Sequence, residues 1–573
     1  MPCQRKSITI SAQSAFKREP ISASEIFTNV NSQGLQIPQD APRLTYQSLA
    51  SSTSFRLLQI LSDGGQDILR CRMFNADLAA QETPQYITLS YTWHEKSLPK
   101  TFRPNFLQNY RKTTRERIIW IDQICINQDD KDECVQQIGQ MCEIYQRASM
   151  DLFWIGEPDE NTEAVMDLLV SLDRLETSLL ASGLPRPGIN ALLNPIYMRS
   201  VGLPEYHAPI WASLMQFISR AAFQRAWIIQ EVAVSQNPAL FCRLAATFLA
   251  EISGAAGFIT GMMNCHARHQ QGEYQSLDLL LASTRRFKAT KPVDKIFALI
   301  NLAESGRREA LPPSLRPDYR KSVVEVFRDV TLHLISQGSL DTLSGIEDVR
   351  FRHLHQLSSW VPDYSVHQVA SILCMPPRPG SLTLYAAAVG RDVRLQYSPA
   401  DPDILKLSAY KVDKISKICP MAEQTIQLTL ENWANMIDFS APYPSINGEA
   451  GSMIDAFWRT LIGNIDWTHK FAAFALQARE ELRDADIVSP GGLNQDGELY
   501  ECTMHHVSWY RRLFVTNGGY IGLAPPSAQL GDEVVLLSGG RVPFVVRKRN
   551  LNIQECYSIV GEAYVHGIMD GEL

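Results

Sequence analysis

Three short apolar segments decide the fold of the first part of the chain: Tyr86-Ile-Thr-Leu-Ser-Tyr91, Ile118-Ile-Trp-Ile121 and Asp151-Leu-Phe-Trp-Ile155. Helical stretches separate them along the chain. Short apolar strands that alternate with helices predict a parallel sheet that is covered on both faces. Ligands of such sheets bind beyond the carboxyl ends of the strands. We therefore expect a pocket at the edge of the sheet where these segments end.

Polar and aromatic residues follow the first two of these strands. They are Ser90, Tyr91, Trp93, His94, Asp122 and Asn127. Asp122 either contacts a ligand or caps the helix or loop that follows it. Ser90 and Tyr91 are either ligand contacts or packing residues of the inner face. His94 titrates near neutral pH, which suits a catalytic role, although a single loop histidine is more often solvated.

The segment from Asp130 to Ala148 predicts a helix that joins the second strand to the third. Asp130 and Glu133 have the spacing of a capping box. One apolar stripe runs along the helix, formed by Cys134, Ile138, Met141, Tyr145 and Ala148. Such a helix is the expected right-handed crossover between parallel strands. The segment Phe55–Leu61 predicts a further strand at the edge of this sheet.

A second cluster of interest is Arg225-Ala-Trp-Ile-Ile-Gln-Glu231. On a helix, Trp227 and Glu231 lie four residues apart and share a face. An aromatic ring beside a carboxylate can stack on a flat ligand and stabilise positive charge that develops on it. The structural alternative is that Trp227 belongs to the core and that Glu231 pairs with Arg225. The residue types alone favour the structural alternative.

The length of 573 residues predicts two to four domains. Clear helices are expected at Leu277–Arg286 and Lys321–Gln337, and strands at residues 519–523, 533–537, 543–546 and 557–560. The resulting division has four parts: a flexible extension over 1–45, an α/β domain over 46–235, a mainly helical region over 236–375, and a mixed α+β region over 376–573. The last part ends in a small β-module at about 510–573.

Charge and cysteine usage exclude several classes of protein. Lys and Arg number 54 against 61 Asp and Glu, a net charge of −7, which argues against a nucleic-acid surface. The 11 cysteines have no Cys-x-x-Cys spacing, so we expect a reducing, cytoplasmic location and no metal site. No segment indicates a membrane span. The glycine-rich nucleotide loops, the hydrolase Gly-x-Ser-x-Gly motif and the His-Glu-x-x-His zinc helix are absent from the sequence.

These clusters, in this order, resemble the fungal heterokaryon-incompatibility (HET) domain. The resemblance rests on Leu89-Ser-Tyr-Thr-Trp93, Trp120-Ile-Asp-Gln-Ile-Cys-Ile-Asn-Gln128 and Arg225–Glu231. Downstream segments are also similar to long HET proteins: Thr290–Leu299, Pro317–Tyr319, Trp360–Asp363, Gly519–Pro525 and Val560–Glu572. The resemblance therefore covers almost all of the chain after residue 45. It departs at His94, where the family usually has Gly, and an imidazole there narrows the pocket or adds a proton donor.

The HET domain is in turn distantly similar to the TIR fold, a flavodoxin-like α/β sheet. That similarity implies cleavage of NAD as a substrate, with no bound cofactor. Glu231, Asp122 and His94 would be catalytic, with Glu231 stabilising positive charge on the ribose. Ser90, Tyr91, Trp93, Asn127, Arg225 and Trp227 would bind the substrate. We expect these residues to converge on one cavity.

Three functions remain open from the sequence. The first is an NAD glycohydrolase-like enzyme whose activity drives incompatibility and cell death. The second is a TIR-like signalling module without catalysis, which acts through a homo-oligomer or a protein partner. The third is a biosynthetic enzyme that acts on a small organic metabolite, for which His94 is the sequence support.

Overall fold

The computed structural model describes residues 25–29, 46–61, 68–91, 117–155, 159–182, 194–205, 207–236, 256–303, 311–366, 370–374, 385–391, 393–421, 426–444, 451–465, 495–551 and 554–572. The chain divides into two compact units, Met1–Phe153 and Trp154–Leu573. The four-part division drawn from the sequence stays a prediction.

Six strands form one mixed sheet in the first unit. They are β1 (Glu25–Asn29), β2 (Ser54–Ile60), β3 (Ile68–Asp77), β4 (Ile87–Ser90), β5 (Arg117–Trp120) and β6 (Met150–Phe153). Their order across the sheet is β1-β3-β2-β5-β4-β6. β4 pairs in parallel with β5 and with β6, as predicted. The other neighbouring pairs, β1 with β3, β3 with β2 and β2 with β5, are antiparallel.

The prediction of β2 as an edge strand is wrong. β2 lies inside the sheet between β3 and β5, and all seven of its residues are buried. Even its polar residues Arg56 and Gln59 are only 2% and 4% exposed. Arg56 can be buried at this internal position because Glu133 pairs with it.

The predicted crossover helix is present. Two helices follow β5, α1 (Asp122–Cys125) and α2 (Lys131–Arg147). The side chain of Asp130 caps α2 by accepting from the backbone N–H groups of Asp132 and Glu133. The predicted stripe is buried from Ile138 to Ala148, and Cys134 is half-buried. Asp130 therefore fills the predicted capping role, but Glu133 does not complete a capping box.

Glu133 instead forms a buried ion pair with Arg56 of β2. Both guanidinium Nη atoms donate to its carboxylate, and the contact between Nη2 and Oε2 is 2.8 Å. The side chains are 2% and 7% exposed. Glu133 Oε1 also accepts from the Asn127 N–H at 2.7 Å, and Arg56 donates to the carbonyl of Cys125 at 3.1 Å. One ion pair thus ties the sheet to α1 and α2.

The second unit begins with helices. They are α3 (Thr162–Ala181), α4 (Pro195–Ser200), α5 (Pro209–Ile218), α6 (Ala226–Val234), α7 (Ala256–Gln270), α8 (Leu277–Ser283), α9 (Asp294–Ile300), α10 (Val323–Ser336) and α11 (Asp341–Ser344), with short 3-10 helices at Ala221–Gln224 and Pro313–Leu315. The predicted helices at 277–286 and 321–337 correspond to α8 and α10. Ser322 and Glu325 form a complete capping box on α10, which explains where that helix begins.

A seven-stranded antiparallel sheet follows. The remaining elements are β7 (Leu395–Tyr397), β8 (Leu405–Leu407), β9 (Ala409–Met421), α12 (Ile426–Ala434), β10 (Pro442–Tyr443), β11 (Gly451–Ser452), α13 (Met453–Leu461), α14 (Gln495–Ser508), β12 (Arg512–Thr516), β13 (Ile521–Ala524), β14 (Glu533–Leu537), β15 (Phe544–Leu551), β16 (Gln554–Glu562) and β17 (Tyr564–Val565). The order in the large sheet is β16-β15-β14-β9-β12-β13-β17. Strands occur at all four of the segments that the sequence analysis predicted.

The large sheet curls so that its two edges meet. β16 and β17 lie at opposite ends of the strand order, yet only Ala563 separates them along the chain. Two Cα–Cα steps span at most about 7 Å, so the edges come together at this point. β9 supplies the centre of the sheet from residues 409–421, far from the other strands in sequence. Within the part of the chain that the structure describes, every helix is too short or too polar to cross a bilayer.

The Arg56–Glu133 pair generates the first prediction. Glu133→Gln leaves a buried guanidinium without its counter-charge, which costs about 3–5 kcal/mol in comparable sites. We expect the apparent melting temperature of the first unit to fall by roughly 10 °C, measured by fluorescence of the full chain. Glu143→Gln is the control, because its partner Arg147 and Glu143 itself are exposed, and it should change little. An equal effect of the two substitutions would contradict this account of the ion pair.

Candidate functional site

The residues at the end of β4 are engaged in hydrogen bonds within their own unit. Ser90 is 2% exposed, and its hydroxyl donates to the Tyr145 hydroxyl at a long 3.4 Å. Tyr91 is half-buried, and its hydroxyl donates to Gln123 Oε1 at 2.9 Å. The Tyr91–Gln123 bond ties the end of β4 to α1. Of the two interpretations of Ser90, inner-face packing agrees better with this burial.

Asp122 begins the short helix α1 directly after β5. It is half-buried, and its Oδ1 accepts from the Gln123 N–H at 2.7 Å. Asn127 shapes the turn into α2, because its Oδ1 accepts from the Asp129 N–H at 3.3 Å and its own N–H donates to Glu133. Since β4 and β5 are parallel neighbours, their carboxyl ends bring Ser90, Tyr91 and Asp122 to the same edge of the sheet.

Trp93 and His94 fall outside the described residues, so their predicted roles stay predictions. Cys125, by contrast, is fully described. It is 1% exposed, and burial raises the pKa of its thiol to about 12. The thiol therefore stays protonated at neutral pH and packs as a small apolar side chain. No group of three His, Cys, Asp or Glu side chains among the described residues is arranged to hold a metal ion.

The second cluster lies on α6, a helix of the core in the second unit. Every residue from Ile228 to Val234 is buried, and the helix packs against α7 and α9. Arg225 immediately precedes the helix and forms an isolated β-bridge with Lys288. In this bridge the Ala226 N–H donates to the Lys288 carbonyl at 2.8 Å. A helix that is buried all round serves packing first.

Glu231 is 1% exposed on this helix. Its Oε1 lies 3.7 Å from Nη2 of Arg225, whose side chain is 17% exposed. The structure therefore realises the pairing that the sequence analysis gave as the structural alternative. A carboxylate this deeply buried needs a cation or hydrogen-bond donors nearby to remain charged, and Arg225 supplies the cation.

Trp227 belongs to a hydrogen-bonded group that the sequence analysis missed. Its indole is hydrogen-bonded to Asp294, the first residue of α9. Asp294 is 8% exposed and also accepts from the Tyr319 hydroxyl at 2.6 Å. Burial raises the pKa of Asp294, and the bonds from Tyr319 and Trp227 oppose that rise. Thus three segments that were singled out separately, at 225–231, 290–299 and 317–319, meet around one buried carboxylate.

The predicted site residues thus fall into two groups. Ser90, Tyr91, Asp122 and Asn127 belong to the first unit, and Arg225, Trp227 and Glu231 belong to the second. In the first group the pairing of β4 and β5 brings Ser90, Tyr91 and Asp122 to one edge of the sheet, and in the second group Arg225 pairs with Glu231. The convergence of the two groups on a single cavity stays a prediction.

Two segments of the chain match known domain families. Residues 81–231 match the heterokaryon incompatibility protein (HET) family. These residues are thus identified as a HET domain. A second match, over residues 455–573, is to the Het-6 β-barrel domain. The HET match includes all the site residues predicted from the sequence, and it ends at Glu231.

The chain is also similar over nearly its whole length to one curated protein of Neurospora crassa. It is 25% identical to "Heterokaryon incompatibility protein 6, OR allele", over 92% of this chain and 96% of that protein. No solved structure matches the chain. The similarity extends the HET relationship beyond the matched domain, to the helical and β-rich parts.

The buried group around Asp294 generates the second prediction. Tyr319→Phe removes a hydroxyl that donates to a buried carboxylate, which should cost about 1–3 kcal/mol and raise the pKa of Asp294 further. The measurement is the melting temperature of the full chain at neutral pH. Tyr274→Phe is the control because Tyr274 is 41% exposed. If the two variants melt alike, Tyr319 is not holding Asp294.

Proposed function

We propose that this HET-domain protein acts in heterokaryon incompatibility as a signalling module, through a homo-oligomer or a protein partner, and not as a hydrolase that uses Glu231. The observation that carries the proposal is the burial of Glu231 at 1% exposure beside Arg225. A carboxylate that stabilises charge on a bound sugar has to face the sugar. Among the described residues, Glu231 instead faces a guanidinium from its own motif.

The remaining motif residues support the same proposal. Trp227 is hydrogen-bonded to Asp294, and Ser90 is buried against Tyr145. If these motif residues stabilise the fold, the HET pattern needs no bound substrate to explain it. The Neurospora relative is named a heterokaryon incompatibility protein, which supports the biological role. We propose the cytoplasm as the compartment, in keeping with the cysteine usage.

A second candidate is hydrolysis of the N-glycosidic bond of NAD on a TIR-like, flavodoxin-like sheet. One observation favours it: the parallel part of the sheet runs β5-β4-β6, which is the second strand, then the first, then the third. Flavodoxin-like sheets begin with the same order and bind ligands at the switch point between the first and third strands. Ser90 and Asp122 follow β4 and β5 at that end. In this candidate Asp122 would be the accessible carboxylate.

The third prediction tests the structural role of Glu231. Glu231→Gln should lower the melting temperature, because Arg225 loses its counter-charge, by an amount equivalent to about 1–3 kcal/mol. Below that temperature the variant should still trigger the incompatibility reaction when expressed in a fungal tester strain. Glu163→Gln, an exposed change in the first turn of α3, is the charge-matched control and should behave like the wild type.

The same proteins are assayed for nicotinamide release from NAD, with Asp122→Asn added to the set. The signalling proposal expects no release by the wild-type protein, alone or assembled. Release by the wild type that a folded Asp122→Asn variant loses would establish the hydrolase candidate. Release that a folded Glu231→Gln variant loses would overturn the assignment of Glu231 as structural. The biosynthetic alternative rests on His94 and stays a prediction.

A further inference from the structure

A cleft in the second unit gathers charged and aromatic side chains that the proposed function does not use. Its empty space is about 420 Å³, including its open mouth. It is lined chiefly by Glu347, Asp348, Phe351, Tyr510, Arg511 and Glu562. The walls come from the segment after α11, the connection from α14 to β12, and the end of β16. Pro525 and Gly561, from two of the HET-like segments of the C-terminal region, also line it.

Two of the three carboxylates in the cleft accept hydrogen bonds from the protein, although Oε2 of Glu562 has no hydrogen-bond partner among the described residues. Asp348 accepts from Arg350 Nε at 3.1 Å and from the Ser527 N–H at 2.6 Å. Glu562 accepts from Arg511 Nη2 at 2.7 Å and from the Leu373 N–H at 2.8 Å. These bonds connect segments far apart in the sequence, so structural roles account for both acids.

Glu347 is different. It is 7% exposed, and among the described residues its Oε1 has no hydrogen-bond partner. Buried carboxylate oxygens without a donor are rare because the lost hydration is costly. Because Glu347 lines an open cleft, a donor that enters the cleft from outside the chain would supply the missing hydrogen bond.

The nearest cations do not fill this role. Arg285 gives its hydrogen bonds to the carbonyls of Val366, Gly345 and Asp363. Arg352 likewise donates to backbone carbonyls, those of Leu357, Ser358, Ser359 and Val361. The negative charges of Asp348, Asp363 and Glu562 raise the pKa of Glu347, and the positive charge of Arg285 lowers it. The electrostatic balance at Glu347 therefore favours a further positive charge.

The aromatic walls suit the apolar part of such a ligand. The Phe351 and Tyr510 rings meet edge to face, with centroids 5.6 Å apart. The Phe351 face already has the Arg350 guanidinium at 5.6 Å, which shows that it can take a cation. Tyr510 has a φ of 56°, an unusual value for a bulky residue, and this conformation places it on the cleft wall.

We propose that this cleft binds the protonated amine of a small organic monocation, with the ammonium group donating to Glu347 and the carbon skeleton lying against Phe351 and Tyr510. Two kinds of ligand carry a primary ammonium group on an apolar stem: a free amine, and the lysine side chain of a protein partner. None of the motif residues at 89–128 and 225–231 lines this cleft.

The pH dependence of binding follows from the state of Glu347. Burial, followed by smaller effects of Asp348, Asp363 and Glu562, raises the pKa of Glu347 to about 7, and Arg285 opposes the rise. An ammonium binds the ionised carboxylate, so affinity should increase as the pH rises from 6 to 8, while the amine stays protonated. A raised carboxyl pKa in the folded state also means that ionisation destabilises the fold above the unfolded pKa. Glu347→Gln should therefore melt at a higher temperature than the wild type at pH 8, and no higher at pH 4.

The fourth prediction uses isothermal titration calorimetry on the full chain. The probes are benzylamine, its neutral analogue benzyl alcohol, and the capped lysine Nα-acetyl-lysine methylamide. The wild type should bind at least one of the two amines at pH 8. Glu347→Gln should weaken that binding by about tenfold or more, because it removes a charge-assisted hydrogen bond. Phe351→Leu should weaken it several-fold through the aromatic wall alone, and Glu163→Gln should leave it unchanged.

The two amine probes distinguish the sources. Tighter binding of benzylamine supports a free amine, and tighter binding of the capped lysine supports a partner's side chain. Three results would overturn the proposal: no binding of either amine by the folded wild type, equal binding by Glu347→Gln, or equal binding of benzyl alcohol. Because Phe351→Leu keeps the carboxylate, it tests the site even if the Glu347 variant fails to fold.

Discussion

The cost of burying a charge is the constraint on which this structure depends. Among the described residues, arginines hold several buried acids, including Glu133 with Arg56, Glu231 with Arg225, and Glu562 with Arg511. In two of these pairs the partners are far apart in sequence, so satisfying the charge also fixes how strands and helices meet. Desolvating a carboxylate without such a partner costs several kcal/mol, roughly as much as a whole domain can spare.

This constraint changes how the HET pattern is interpreted. A Glu in a motif with Arg and Trp suggests catalysis. The same Arg and Trp side chains can, however, serve as the ion-pair and hydrogen-bond partners of carboxylates that are buried in the core. Glu231 and Arg225 neutralise each other, while Trp227 supports the neighbouring Asp294. Glu347 is the contrasting case: a buried acid whose Oε1 finds no donor within the described residues, at the wall of a cleft.

The sequence predicted the elements whose signals are local. The three parallel strands, the helix capped by Asp130 and the helices at 277–286 and 321–337 all followed from periodicity and capping residues. The roles of Glu133, Asp294 and Tyr319 did not, because each depends on a partner that is remote in sequence. β2 proved internal and β9 became the centre of a distant sheet for the same reason. Pairing partners are a property of the tertiary structure, which residue spacing alone does not report.

The central claim is that Glu231 stabilises the fold by pairing with Arg225. A double-mutant cycle tests it most directly, with Arg225→Met, Glu231→Leu and the double variant compared in the stability of the full chain. The account predicts a coupling energy of about 1 kcal/mol or more, and a folded double variant that still triggers the incompatibility reaction. Coupling near zero, or a stable double variant that has lost the reaction, would contradict it.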